Sequence, residues 1–168
     1  MFLMSNGFHL NKSQWYNFRL IITTLIWVMS GQNVLAQTIN ENTTLSFGKI
    51  VITDNSSAHK IEILPGGGYS ADPQYIFFSD PQMANVSVDG YDPFVTLNVS
   101  ISNPNLNRAG GGPAFFSVSD VFTNPAIIET DSFGSATFEV GATLSSNGNG
   151  AGFTNNKYDG NYTVTVTP

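Results

Sequence analysis

The chain has 168 residues, a formal net charge of −6 and no cysteine. A chain this acidic is a poor nucleic-acid binder, because phosphate contacts need Lys and Arg, and a poor match for anionic membrane surfaces. Without cysteine there is no disulfide, no thiol nucleophile and no cysteine zinc site, so the fold rests on its core.

At the N-terminus, Lys12 and Arg19 precede the apolar run Leu20 to Met29, and Val34-Leu35-Ala36 places small residues where a signal peptidase reads them. The pattern predicts a secretory signal peptide over 1–36, cleaved between Ala36 and Gln37. The alternative is a membrane anchor, but that run falls short of the about 20 apolar residues that cross a bilayer. The remainder, 37–168, is expected to be one all-β domain with no integral membrane segment. Loss of Lys12 and Arg19 with the leader takes its charge to −8.

Gln37 to Thr43 reads as a polar lead-in. A first strand is expected over Thr44 to Ile52, where the apolar parity changes between Phe47 and Ile50 and predicts a bulge at Gly48. Asp54 to Ser57 is a turn cluster. His59 to Leu64 alternates, with Ile61 and Ile63 inward, and Pro65 to Gly68 ends it. That glycine run has neither the following helix nor the lysine of a phosphate loop. Tyr75 to Phe78 is a short strand, Asp80-Pro81 a turn, and Asn85 to Asp89 a strand leading into an Asp89-Gly90 turn.

Phe94 to Ile101 alternates with Val95, Leu97, Val99 and Ile101 inward. Asn103 to Pro113 reads as a long loop, Phe115 to Phe122 as a strand, and Ala126 to Thr130 as a short apolar piece. The clearest strand signal is Ala136, Phe138, Val140, Ala142 and Leu144 on one parity. A loop over 145–161 follows, then a terminal strand carrying Tyr162, Val164 and Val166. About eight or nine short strands with turn signals between them predict an immunoglobulin-like or related Greek-key β-sandwich, with a closed barrel as the alternative.

Five segments carry a resemblance: LSFGKIVI, KIEILPGGG, MANVSVDGY, FGSATFEVGATLSSN and YDGNYTVTVTP. Together they resemble the bacterial secreted family known as domain of unknown function 4402. The resemblance implies exported all-β domains without assigned catalysis, similar in layout to pilin-like and spore-coat-like subunits. In assembled pilins a neighbour's N-terminal extension fills the gap of a missing strand. Gln37 to Thr43 departs from such a donor, since Ile39 is its one strongly apolar side chain and a donor strand alternates several.

Chemistry-bearing residues are sparse. His59 is the one histidine after the leader, and no Ser-His-Asp layout follows from spacing. The carboxylates Asp72, Asp80, Asp89, Asp92, Asp120, Glu129, Asp131 and Asp159 are the candidates for a glycosidase pair, but most adjoin Pro, Gly or Ser as turn residues do. No cofactor is expected. The oxygen-rich runs Asn155 to Asn161 and Asp89 to Asp92 would suit calcium, without the spacing of an EF-hand. The Asn-x-Ser/Thr triplets at Asn42, Asn55, Asn85, Asn98 and Asn161 read as coincidence in so Asn-, Ser- and Thr-rich a chain.

The leading expectation is an exported non-enzymatic structural or interaction domain, a bacterial cell-surface or fimbria-like subunit, with protein partners or copies of itself. Its assembly edge is expected at Tyr162, Val164 and Val166, because an unpaired strand edge is a template for pairing. The alternative is a carbohydrate- or other ligand-binding module with aromatic contacts in the loops of Tyr69, Tyr75, Tyr91 and Phe94. A hydrolase using loop carboxylates ranks third.

Overall fold

The computed structural model describes residues 36–168, and the leader expected over 1–36 lies outside them except for Ala36. Thirteen antiparallel strands form an all-β sandwich. They are β1 Thr38–Thr43, β2 Lys49–Ile52, β3 Lys60–Ile63, β4 Tyr69–Ala71, β5 Tyr75–Ser79, β6 Ala84–Asp89 and β7 Thr96–Ile101. After these come β8 Asn105–Arg108, β9 Phe115–Asn124, β10 Ile128–Glu129, β11 Ala136–Ser146, β12 Tyr158–Asp159 and β13 Val164–Thr167. Among the described residues no helix is long and apolar enough to cross a membrane.

The large sheet runs β1-β6-β11-β9-β8-β12, with β3 and β4 branching from β11. A three-stranded sheet, β10-β7-β13, and a two-stranded ribbon, β2-β5, complete the strands of the described residues. The branch exists because β11 is long. On one edge its first half pairs β6, from Ala136↔Val88 to Val140↔Ala84, and its second half pairs β3, from Thr143↔Glu62 to Ser145↔Lys60. Its other edge pairs β9 from Glu139 to Ser146, with a register shift between Gly141 and Thr143.

The alternation read in β11 splits between two cores. Phe138 and Val140 pack with Ala84, Val86, Val88, Tyr91, Leu97, Ile128 and Val166. Ala142 and Leu144 pack with Phe47, Ile61, Ile63, Tyr75, Phe116 and Val118. β11 and β13 are not a hairpin: β13 pairs β7 in the other sheet, so the two strands are facing walls of the first core.

Four expectations are corrected. Gln37 to Thr43 is not a lead-in, because its backbone pairs with the edge of β6 as β1 even though all six residues of that strand are exposed. The expected first strand begins only at Lys49. Gly48 has φ +80, and a Cβ there would lie 2.2 Å from the Ser79 carbonyl oxygen, so the chain breaks where the bulge was expected. The Asn103 to Pro113 loop contains β8, and the 145–161 loop contains β12, which pair with each other. Tyr162 precedes β13 rather than belonging to it.

Candidate functional site

β7 is bonded unequally on its two edges. It pairs β13 from Asn98 to Ile101, but β10 only at Thr96 and Leu97. Successive residues of an antiparallel strand turn their N–H and C=O to opposite edges. The Ser102 N–H donates to the Thr163 carbonyl at 3.1 Å, which assigns the even-numbered residues to the β13 side. Val99 and Ile101 therefore turn their backbone groups to the other edge, past the end of β10. That edge borders a cleft of about 520 Å³ lined by Val99, Ile101, Asn103, Asp120, Val121, Phe122 and Thr123.

β9 shapes the far wall. Its register against β11 shifts between Phe122 and Ser119, and Asp120 sits there at φ +50. This is a bulge, which bends a strand and re-aims its side chains. Phe122 folds its ring over Gly141 of β11, where a Cβ would lie 2.3 Å from the ring. The cleft therefore sets a backbone edge beside a mixed lining, with Val99, Ile101 and Val121 next to the polar Asn103, Asp120 and Thr123.

A second feature lies at the end of the sandwich where β6 turns into β7 and β10 into β11. The two loops are bonded to each other: the Tyr91 N–H donates to the Gly134 carbonyl at 3.2 Å and the Phe94 N–H to the Thr130 carbonyl at 3.2 Å. The buried Thr130 hydroxyl donates to the Asp92 carbonyl at 2.7 Å and accepts from the Val95 N–H at 2.9 Å. Asp131 Oδ1 accepts from the N–H groups of Phe133 and Ser135 at 2.8 and 3.0 Å. The Ser135 and Phe133 bonds hold its carboxyl below the usual carboxylate range. From this braced frame Phe94 and Phe133 project into solvent, 69% and 84% exposed.

His59 is the third feature. The fold brings Ser57 Oγ to 3.3 Å from its Nε2 and Asp72 Oδ2 to 3.6 Å from its Nδ1. These are the residue types of an acyl-transfer relay, which spacing alone did not reveal. The second distance exceeds a hydrogen bond, and Asp72 Oδ2 instead accepts from the Lys60 N–H at 2.8 Å. The His59 carbonyl accepts from the Tyr75 hydroxyl and the Ser146 N–H, both at 2.9 Å, so the backbone here clasps β3 to the end of β11.

Beside it, buried Asn55 fastens the 147–151 loop. Its Nδ2 donates to Asn147 Oδ1 at 3.0 Å and the Ala151 carbonyl at 2.9 Å, and its Oδ1 accepts from the Gly148 N–H at 3.1 Å. Asn55→Ala strands these groups and is expected to lower stability by about 2–3 kcal/mol, read as an earlier urea midpoint at unchanged m-value.

The aromatic residues expected in loops separate into two kinds. Tyr75 and Tyr91 are core residues, 6% and 4% exposed, and their rings face inward rather than toward a ligand. Tyr75 donates its hydroxyl to His59, and burial pushes its pKa up to about 12. The Tyr91 hydroxyl donates to the Val166 carbonyl at 3.4 Å. Tyr69 is half-buried, packs its ring at a 45° tilt 4.7 Å from that of Phe77 and donates to Asp80 at 3.0 Å.

Of the expected assembly residues, Val164 is half-buried and Val166 buried against the first core. Tyr162 hydrogen-bonds through its hydroxyl to Glu41, tying the approach to β13 onto β1. β13 is an edge strand. Of the acids, Asp159 pairs with Lys157 at 3.2 Å. Among the described residues no group of three or more His, Asp or Glu side chains is placed to hold a metal ion.

No curated protein and no solved structure matches this chain. One family model does, over residues 38–167, from the first residue of β1 to the last of β13. The matched span includes both cores, the cleft and the paired loops, and on that match the chain belongs to the family described as domain of unknown function (DUF4402).

Proposed function

We propose that this protein is an exported, non-enzymatic structural or interaction domain, a cell-surface or fimbria-like subunit that assembles by strand addition. The observation that carries the reading is the open edge of β7, where β10 ends after pairing only Thr96 and Leu97 beside a cleft lined by both apolar and polar residues. An uncovered edge of this kind is what native folds ordinarily cap, bend or charge. Here the groups beside it are Val99, Ile101 and Val121, with Asp120 as the one charged residue of the cleft. Export rests on the leader with its expected cleavage at Ala36. The free edge of β13 offers a second place for a neighbour.

Thr123→Trp tests the reading by filling the cleft from a lining position that stands opposite Val140, so a melting curve is run beside it to show that the first core still forms. The unmodified protein, purified without its leader and concentrated, is expected to yield crosslinked ladders or filaments in electron micrographs, and the Trp variant folded monomers. A strict monomer at high concentration, with no partner recovered by crosslinking at the cell surface, sinks the assembly mechanism.

A further inference from the structure

The paired loops at the β6–β7 end break two rules at once. Phe94 adopts φ +58, a left-handed conformation that a bulky residue enters at a cost. Having accepted that strain, the backbone gains no burial from the ring, which is 69% exposed. Across the braced frame, Phe133 follows an Asp131 turn and exposes 84% of its surface. Local strain with no folding return is the mark of a site kept for binding.

The surroundings choose the class of ligand. Asp92, Glu129 and Asp131 share these loops, and no Lys or Arg lies between Gly90 and Ile101 or between Ile127 and Ala136. Carboxylates at the rim repel nucleic acid and anionic lipid. They also suit a dry protein interface poorly, because the centre of such an interface is depleted of charge. The two rings are not in contact with each other. Separate aromatic faces on two bonded loops, each with a carboxylate two residues before it in sequence, match a chain of neutral sugars: each ring covers the apolar C–H face of a sugar and the carboxylates accept from its hydroxyls. The frame is already bonded in place, so binding orders little.

We propose that Phe94 and Phe133 form a binding platform for a neutral polysaccharide, with Asp92 and Asp131 as hydroxyl acceptors. The site is separate from the β7 cleft and stands or falls independently of strand addition.

Affinity electrophoresis tests it, in native gels containing a soluble β-glucan, a xylan or a mannan, with vesicles rich in anionic phospholipid as a parallel arm. The expected result is retardation by at least one of the three polysaccharides and no binding to vesicles. Phe133→Ala and Phe94→Gly are each expected to weaken retardation about tenfold, the loss of one stacked ring. Phe94→Gly has a second readout, since glycine relieves the positive φ: its melting temperature should hold or rise while binding falls. Retardation by none of the three, retardation unchanged in both variants, or binding to the vesicles instead overturns the proposal. Thr123→Trp should leave retardation unchanged, which separates failure here from failure of the assembly reading.

Discussion

Gly134→Ala is expected to cost about 3 kcal/mol, from left-handed strain and overpacking together. Gly134 has φ +78, and a Cβ there would lie 1.9 Å from the Tyr91 carbonyl oxygen. That contact is with backbone, so no rotamer change relieves it. The same peptide accepts from the Tyr91 N–H, so any shift that clears the methyl group also stretches the link between the two loops. Urea denaturation would show the loss as an earlier midpoint. An unchanged midpoint would mean that the 131–135 turn re-forms with another geometry.

Phe138→Ala is expected to cost about 3–5 kcal/mol, as a large ring removed from a close-packed site leaves a cavity. Phe138 is 1% exposed and stands opposite Val86, against Tyr91, Leu97 and Ile128 of the first core. The informative readout is the second core, which Phe138 does not touch. Because β11 runs through both, tyrosine fluorescence and far-ultraviolet circular dichroism are expected to move together in one earlier transition. Two separated transitions would show that the cores unfold independently.

The parts of the fold legible in the sequence are those with buried alternation. Val86 and Val88, Ile61 and Ile63, and Phe138 to Leu144 point inward as their parity requires. β1, β8 and β12 were illegible for one physical reason: TINENT, NLNR and YD bury little, and their strand character comes from a neighbour's backbone. A paired edge leaves no hydrophobic trace in the strand that supplies it. The second parity of β11 was misleading in a different way. Gly141 and Thr143 look solvent-facing, yet both are buried, Gly141 beneath Phe122, which folds back across the sheet.

The candidate sites were less legible than the fold. The β7 edge is open only because β10 is two residues long, a property of the neighbour rather than of β7. Alternation placed Phe94 at the start of a strand and gave no sign of its positive φ. Phe133 stands outside the alternation of β11, and the Asp-Ser-Phe-Gly run around it has the composition of a side-chain-capped turn, the one signal that could have put it in the open.

The central position of β11 also orders events in time. Both cores wait for residues 136–146, which are made after four-fifths of the chain. Until they emerge, β3 and β6 have no common partner, and pairings this distant in sequence close slowly. A chain that lacks β11 can therefore form local pairs such as β2–β5 and β3–β4 but neither complete core. Once β11 arrives, the N-terminal and central strands lock onto it together.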